Sequence, residues 1–270
     1  MRFTASTLLR KYHVTYLLFC VSPSSLWYEL TDRWTPLQTY SRKAILPQGL
    51  AALRVESMVQ VIVLASQKGG AGKTTLSRHL AVEAGRAGEG PVVLIDADPQ
   101  GGLASWWNRR QAETPAFAES TLDDLPTRIE QAKQAGFRLM VIDTPPQATA
   151  LIRSVVRLAD LVLFPTRPSP DDLDAVGRTI DIEEEAGRPM VFVINGATRN
   201  AKITGQAAIA LSQSGTVASV MLHHSIAYPT SAIDGRTVAE LDSESNPAKE
   251  VAELWNYVST RLRKSRKAAS

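Results

Sequence analysis

The sequence predicts an α/β fold, with a mainly parallel twisted sheet and helices on both of its faces. Two observations lead to this prediction. From residue 58 onward, short apolar runs rich in β-branched residues alternate with stretches of helical length, a rhythm typical of parallel sheets built from βαβ units. In addition, each polar motif follows one of these apolar runs. Because ligands bind at the carboxyl ends of strands in such sheets, we expect the motifs to converge at one edge.

The elements are predicted in chain order from these patterns. The apolar runs that predict strands are residues 59–65, 92–95, 139–142, 161–164, 191–194 and 217–222. The stretches that predict helices between them are residues 74–87, 125–135, 171–186 and 202–214. Apolar residues at helical spacing predict a last helix that packs on the domain: Val251, Leu254, Trp255, Val258 and Leu262.

The first predicted strand leads into the glycine-rich loop QKGGAGKTT, which ends at Thr75. Glycines let backbone N–H groups approach phosphate oxygens, and the following helix N-terminus adds partial positive charge. We expect Lys73 to reach the outer phosphates and the Thr74 hydroxyl to ligate Mg²⁺. The predicted nucleotide-binding residues of this loop are Gly69, Gly70, Ala71, Gly72, Lys73, Thr74 and Thr75.

The loop departs from the strict P-loop pattern, which requires a glycine five residues before Gly72. Gln67 stands at that position, and Lys68 adds a second lysine. This departure resembles the deviant Walker A loop of the ParA/MinD ATPase superfamily, and in particular its ParA/Soj-type partition ATPases. The resemblance implies a P-loop NTPase fold with ATP and Mg²⁺ as cofactors. It also implies a catalytic Lys68 that reaches across a homodimer interface to the partner's nucleotide.

The second motif, DADPQGG, begins at Asp96 directly after a predicted strand. Carboxylates at a strand end beside an ATP site can hold metal-bound water or orient an attacking water. The motif resembles the Walker A′ motif of the same family, which implies that Asp98 positions the hydrolytic water and that Asp96 supports the Mg²⁺ shell. The alternative is an Asp-Pro turn that caps the next helix. The motif lies one βα unit after the glycine-rich loop, and this position favours the role at the nucleotide site over the capping turn.

The third motif, VIDTPP, ends a predicted strand at Asp143. This carboxylate is expected to accept a hydrogen bond from a Mg²⁺-bound water or from Thr74. The following Thr144 and two prolines form a stiff segment that can move as a unit when the γ-phosphate is lost. The alternative is a buried strand that ends in a helix cap and has no metal role.

Two further residues follow strands at the same expected edge. Asn195 closes the run VFVIN, and the family resemblance implies that its amide, a donor and an acceptor, reads the adenine edge. Arg167 lies in PTRPSP, which resembles the family's loop near the dimer interface. We interpret Arg167 as a surface arginine, with contact to a partner or to phosphate as the alternative.

The charge distribution and the cysteine content limit which partners and which cellular compartment the sequence supports. The chain has a formal charge of +3, but residues 1–57 contain seven Lys/Arg and three acids, so 23 basic and 24 acidic residues remain for the rest. The basic pI therefore gives no argument for nucleic-acid binding by the main domain. The single cysteine, Cys20, excludes a disulfide framework within one chain and fits a reducing compartment.

We divide the chain into an extension at residues 1–57, an ATPase domain at 58–263 and a basic tail at 264–270. The extension has no sustained helical or strand period, and Met58 lies one residue before the first strand. We therefore predict a misplaced start or a disordered segment. An accessory helix-turn-helix domain is the less favoured alternative, because no paired amphipathic helices are visible.

The resemblance further implies partners and a location. ParA-type ATP dimers bind DNA non-specifically, and a ParB-like adaptor stimulates hydrolysis, which places the protein in the cytoplasm on the nucleoid. The candidate DNA-binding residues here are Arg199, Lys202, Arg236, Arg263 and Lys264. Relatives often carry an arginine before an Ala-aromatic pair, where this chain has His223, His224 and Ser225.

Other functions of the same superfamily remain as alternatives. A MinD-like membrane-cycling ATPase needs an amphipathic membrane helix, and the basic tail here is poorly apolar, so we expect no membrane partner. A metabolic amidoligase or a dethiobiotin synthetase-like enzyme needs an added substrate pocket, and no added domain is visible. A nitrogenase reductase-like role is excluded, since the domain lacks cysteine. A conjugation or cellulose-synthesis accessory ATPase stays open.

Overall fold

The computed structural model describes residues 59–146, 150–174, 176–177 and 185–269, and the predicted extension at 1–57 lies outside them. The strands are β1 (Gln60–Leu64), β2 (Val92–Asp96), β3 (Ala116–Glu119), β4 (Leu139–Asp143), β5 (Leu161–Thr166), β6 (Met190–Ala197) and β7 (Leu222–His223). Within the described residues they form a seven-stranded sheet of order β3-β2-β4-β1-β5-β6-β7, and every strand pair is parallel. The predicted α/β fold with a parallel sheet is confirmed.

Helices connect the strands and cover both faces of the sheet. They are α1 (Lys73–Arg86), α2 (Gly102–Trp107), α3 (Leu125–Gln134), α4 (Ala150–Val156), α5 (Pro170–Asp174), α6 (Lys202–Ser214), α7 (Ala227–Ser231), α8 (Val238–Leu241) and α9 (Asn246–Ala269). A 3₁₀ turn, Ala232–Asp234, follows α7. The predicted helix at 171–186 begins as α5, and residues 176–177 and 185–186 are helical, but the remainder lies outside the described residues.

Two strands differ from the sequence prediction. The short strand β3 was not predicted, because its four residues are only partly buried and pair with β2 alone. The prediction of one continuous strand at 217–222 was wrong. Val217 forms an isolated bridge to Phe192, and only β7 pairs with the end of β6. The register of β6 against β7 shifts at Gly196, which has a φ of 69° and lies between the pairs Asn195–Leu222 and Ala197–His223.

The central strands are buried on both faces, and alternate residues enter two separate hydrophobic clusters. Ile62 and Leu64 join the cluster that contains residues of α1 and α9, whereas Val61 and Val63 join the cluster that contains residues of α3 and α4. Parallel strands covered on both faces require such continuous apolar runs. The strand ends, and the loops that follow them, are therefore held by core packing.

The last helix packs on the domain as predicted. Its five apolar residues, Val251, Leu254, Trp255, Val258 and Leu262, are each at most 3% exposed. The helix runs on to Ala269, so it includes most of the segment that the sequence sets apart as a tail. Among the helices that the structure describes, none has both the length and the apolar character needed to cross a membrane.

A buried histidine joins α1 to the start of α8. His79 is 2% exposed, its Nδ1 lies 2.7 Å from the carbonyl oxygen of Thr75, and its Nε2 accepts a hydrogen bond from the backbone N–H of Val238 at 3.2 Å. These partners require a neutral ring with its proton on Nδ1. Burial, reinforced by neighbouring Arg78, lowers the pKa of His79 to about 3.

We predict that acid destabilises the domain through His79. Its pKa is lower in the folded state than the ordinary value of 6.5, so its stabilising effect is complete above pH 6.5 and is lost as the pH falls toward 3. His79→Gln should unfold more readily at pH 7, by about 1–3 kcal/mol for lost buried hydrogen bonding. The free energy of unfolding of this variant should also fall less steeply between pH 6.5 and 4. Urea unfolding at several pH values measures both effects, and equal slopes would contradict the prediction.

Candidate functional site

The motif loops meet at the carboxyl edge of the sheet. The strands that precede them, β2, β4, β1, β5 and β6, lie side by side in that order, and their loops surround a cavity of about 640 Å³. The predicted site residues that line it are Gly69, Gly70, Gly72, Lys73, Thr74, Thr75, Asp98 and Asn195. We call this space the central cavity.

The glycine-rich loop needs glycine at two of its positions. Gly70 and Gly72 have φ angles of 77° and 106°, a region that favours glycine. A Cβ atom on Gly72 would also lie 2.1 Å from Nδ2 of Asn195. Helix α1 begins directly after Gly72 without a side-chain cap. The backbone N–H groups of its first turn are therefore available to an anion in the cavity.

Lys73 provides a positive charge at the floor of the central cavity. Its side chain is 6% exposed, and its ammonium has no hydrogen bond or ion pair with any residue that the structure describes. Burial lowers the pKa of Lys73, while the charges of Asp143 and Asp98 act in the opposite direction. An anionic ligand would supply the missing partner, as the sequence prediction requires.

Thr74 and Asp143 are two predicted metal ligands that the structure brings into contact. The Thr74 hydroxyl donates to Oδ2 of Asp143 at 2.6 Å, and Asp143 is fully buried. Burial raises the pKa of this carboxyl to about 7, although the hydrogen bond from Thr74 acts against the rise. Within the described part of the chain, its Oδ1 has no hydrogen-bond partner. An orphaned carboxylate oxygen beside a hydroxyl fits Mg²⁺, which prefers oxygen ligands.

Asp96 accepts backbone hydrogen bonds through both carboxylate oxygens, and its place in the Mg²⁺ shell stays a prediction. Its Oδ1 accepts the backbone N–H of Asp98 at 3.1 Å, and its Oδ2 accepts that of Ala104 in α2 at 2.8 Å. Both oxygens are thus used to shape the loop between β2 and α2. Burial raises the pKa of Asp96. Its direct contribution in this conformation is to hold Asp98 in place.

Asp98 lies where the central cavity meets a second cavity of about 580 Å³. Its Oδ1 accepts the backbone N–H of Gln100 at 3.0 Å. The side chain is half-buried, so its carboxylate can reach a water molecule in the central cavity. Its predicted role of orienting an attacking water stays a prediction.

Lys68 is paired within its own chain, a contact that the sequence did not predict. Its Nζ lies 3.0 Å from Oδ2 of Asp172 and 3.5 Å from Oδ2 of Asp171. The hydrogen bond to Asp172, more than the other contacts, raises the pKa of Lys68. Asp172 is buried and also accepts the Ser169 hydroxyl at 2.5 Å. In this single chain Lys68 is therefore held by the carboxylates of α5.

Asn195 lines the central cavity but is already engaged. Its Nδ2 donates to the carbonyl oxygen of Ala71 at 2.7 Å, so the end of β6 is joined to the glycine-rich loop. A role for this amide at a nucleobase would require the Ala71 contact to be shared or exchanged.

His223 and His224 were noted in the sequence, but their position at the wall of the central cavity was not predicted. His223, His224 and Tyr228 line it. Nδ1 of His223 lies 2.8 Å from Oε1 of Glu250, and the backbone N–H of His223 donates to Oε2 of the same carboxylate at 2.9 Å. The sequence feature that could have predicted this is the position of His223, which follows an apolar run as the other motifs do.

The five candidate DNA-binding residues lie in three separate segments: Arg199 and Lys202 near the start of α6, Arg236 after the 3₁₀ turn, and Arg263 and Lys264 near the end of α9. Arg199 pairs with Glu250 at 2.8 Å, and Arg236 pairs with Asp234 at 2.8 Å. Arg263 donates to the Ser259 hydroxyl at 2.9 Å. Lys202 and Lys264 are exposed.

Comparison with known proteins agrees with this geometry. Residues 62–268 match the family model described as the CobQ/CobB/MinD/ParA nucleotide binding domain. A maintenance of carboxysome distribution protein A from Gloeobacter kilaueensis is 38% identical over 46% of this chain and 56% of its own length. The protein of the same name from Halothiobacillus neapolitanus is 28% identical over 73% of this chain and 95% of its own length.

A ParA protein from Rhizobium radiobacter is 31% identical over 54% of this chain and 69% of its own length. Two solved structures share the fold. A Cyanothece McdA variant in complex with ATP has a TM-score of 0.60 at 18% identity, covering 77% of this chain and 97% of that one. MinD from Pyrococcus horikoshii with Mg-ADP has a TM-score of 0.62 at 17% identity, covering 77% and 99%.

The family model spans more than half of the chain and includes all of these motif loops. The chain therefore belongs to the CobQ/CobB/MinD/ParA family of nucleotide-binding proteins.

Proposed function

We propose that the chain is a ParA-type ATPase that closes as a homodimer around ATP and Mg²⁺ and separates after hydrolysis, in the cytoplasm. The observation that carries this proposal is the position of Lys68. It lies beside a phosphate-sized cradle, yet it is paired with Asp172 of its own chain instead of pointing into the cavity. A lysine that must change partners can link nucleotide binding to a second copy of the chain.

The residues around the central cavity have separate roles in ATP hydrolysis. The glycine-rich loop and Lys73 bind and orient the phosphates, and Asp98 holds the attacking water. Thr74 and Asp143 would hold Mg²⁺, which would supply positive charge beside the outer phosphates. Asp96 keeps the Asp98 loop in position through its two backbone contacts.

Dimer closure follows from the exchange of partners by Lys68. In the dimer, each Lys68 leaves Asp172 and contacts the nucleotide of the partner subunit. ATP then favours the closed state, because it offers the lysine a contact that the open state lacks. Loss of the γ-phosphate removes this differential contact, and the lysine returns to its own chain.

For the cellular role, we propose positioning of a plasmid or chromosome through non-specific DNA and a ParB-like adaptor. The ParA relative and the exposed Lys202 and Lys264 support this role. Arg199 and Arg236 can contact phosphate only after they leave Glu250 and Asp234. A dimer doubles each contact and so strengthens a weak DNA surface.

A second candidate role is the positioning of a protein compartment. Two relatives are named for maintenance of carboxysome distribution, and the match to one of them spans 95% of that protein. The central cavity and the dimer cycle are the same for both roles, so they differ only in the adaptor and its cargo. Membrane cycling is disfavoured, because the five apolar residues of α9 are buried on the domain.

We expect Lys73→Ala to abolish nucleotide binding, since it removes a buried charge that has no other partner among the described residues. The loss of even one hydrogen bond to a charged group weakens binding by about 10- to 100-fold, and Lys73 is expected to make several such contacts to the phosphates. Titration with a fluorescent ATP analogue measures this effect. Lys133→Ala, which removes an exposed lysine from α3, is the matched control. Retained ATP affinity in Lys73→Ala would contradict the role of this lysine.

Replacing Asp172 tests the partner exchange of Lys68. Asp172→Asn keeps the shape of the side chain but removes its charge, so dimers should form at an ATP-analogue concentration lower by roughly two- to fivefold. Lys68→Ala should bind ATP as a monomer but dimerise poorly. Asp174→Asn, at an exposed carboxylate of the same helix, is the matched control. Analytical ultracentrifugation measures the dimer fraction, and the proposal fails if Asp172→Asn behaves like the control.

Asp98→Ala should bind ATP but hydrolyse it at least about tenfold more slowly, because the attacking water loses its orientation. The trapped dimer should bind DNA only with ATP, and binding should weaken steeply with salt. Phosphate release and DNA-binding anisotropy measure these properties. Asp123→Ala, at an exposed carboxylate of the second cavity, is the control. Unchanged turnover in Asp98→Ala would exclude this residue from catalysis.

A further inference from the structure

Arg167 brings a guanidinium to the central cavity from the loop between β5 and α5. It lines the cavity together with Lys73 and Asp98. A Cβ atom on Gly70 would lie 3.9 Å from one terminal nitrogen, Nη2, of this arginine. Gly70 belongs to the loop that cradles phosphate, so the guanidinium already lies beside that cradle without any movement of the backbone.

The segment that carries Arg167 is stiff. Prolines precede and follow it at positions 165, 168 and 170, and each fixes its own φ angle. The carbonyl oxygen of Arg167 accepts the backbone N–H of Ser169 at 2.8 Å. Ser169 in turn donates its hydroxyl to buried Asp172. The backbone at Arg167 is therefore fixed. This reduces the conformational entropy that is lost when the side chain binds a ligand.

The positive charge of Arg167 is unpaired within the described part of the protein. Its exposed guanidinium has no ion pair or side-chain hydrogen bond with those residues. Lys68, which precedes Gly69 in the glycine-rich loop, is by contrast held by the carboxylates of Asp171 and Asp172. Arg167 therefore faces the phosphate cradle as a cation that an anionic ligand can engage without first breaking an ion pair.

We propose that Arg167 contacts the γ-phosphate of the nucleotide bound by its own chain and stabilises the charge that develops there during hydrolysis. This inference rests on the proposed function. In the reaction, the attacking water forms a new P–O bond, and the bond from the γ-phosphorus to the bridging oxygen breaks. The electron pair stays on ADP, and the proton of the water passes to the products. A guanidinium beside the γ-phosphate counters the charge on its oxygens in the transition state.

The guanidinium of Arg167 is expected to bind the transition state more strongly than it binds ATP. The planar guanidinium offers two parallel N–H donors that match phosphate oxygens. Arginines that act on a transferring phosphoryl group raise kcat by about 10³- to 10⁵-fold in other nucleotide hydrolases. An arginine present in the chain itself would support turnover before any partner binds.

The test compares Arg167→Ala, Arg167→Lys and the control Arg157→Ala. Arg157 is an exposed arginine that follows α4, at the opposite edge of the sheet. Three quantities are measured for each protein: kcat for phosphate release at saturating ATP, the Kd for ATP, and the Kd for ADP with aluminium fluoride, which resembles the transferring phosphoryl group.

We expect Arg167→Ala to lower kcat at least about tenfold and to weaken binding of the ADP–aluminium fluoride complex by a similar factor, with the Kd for ATP changed less than about threefold. Arg167→Lys should recover only part of the loss, since it keeps the charge but not the two parallel donors. Arg157→Ala should match the wild type.

The inference is overturned if kcat of Arg167→Ala stays within about twofold of the wild type, or if ATP and the aluminium fluoride complex lose affinity equally. A control variant as slow as Arg167→Ala would overturn it as well. Failure of the wild-type protein to hydrolyse ATP would overturn the proposed function first. Hydrolysis by the wild type with an unaffected Arg167→Ala would overturn the role of Arg167 alone.

Discussion

The hydrogen bond from Thr74 to Asp143 is the contact around which the rest of the site is arranged. It joins the first turn of α1 to the carboxyl end of the neighbouring strand β4. A buried hydrogen bond to a charged group contributes about 1.5–3 kcal/mol, and here it also leaves one carboxylate oxygen free for a metal. Lys73, next to Thr74 in the chain, is placed at the floor of the cavity by the same turn of helix.

The sequence predicted the site as far as chain connectivity determines it. Parallel strands place the loops after β1, β2 and β4 at one edge, so the convergence of Lys73, Asp98 and Asp143 followed from the order of motifs. The pairing of Lys68 with Asp172 was beyond reach, because 104 residues separate the two and the contact depends on the conformation of an exposed side chain. The break in the strand at 217–222 was also not predictable, because the apolar run gives no sign that only its two ends pair with β6.

The loop between β5 and α5 combines two roles that a motif search treats separately. Its Asp172 holds Lys68, while its Arg167 faces the phosphate cradle. Ser169 connects them, since its backbone N–H contacts Arg167 and its hydroxyl contacts Asp172. A change at one end of the loop is therefore expected to affect the other. Nucleotide state and dimer state would thus be sensed by the same short segment.

The histidine link between α1 and α8 also limits how the chain can be divided. His79 lies about two turns of helix beyond Gly72, and its ring contacts the backbone of Val238. A fragment that ends after Asn195 would keep every recognised motif but would lose this support for α1. We therefore regard the final quarter of the chain as part of the smallest unit that can fold around a nucleotide, although it contains no motif of its own.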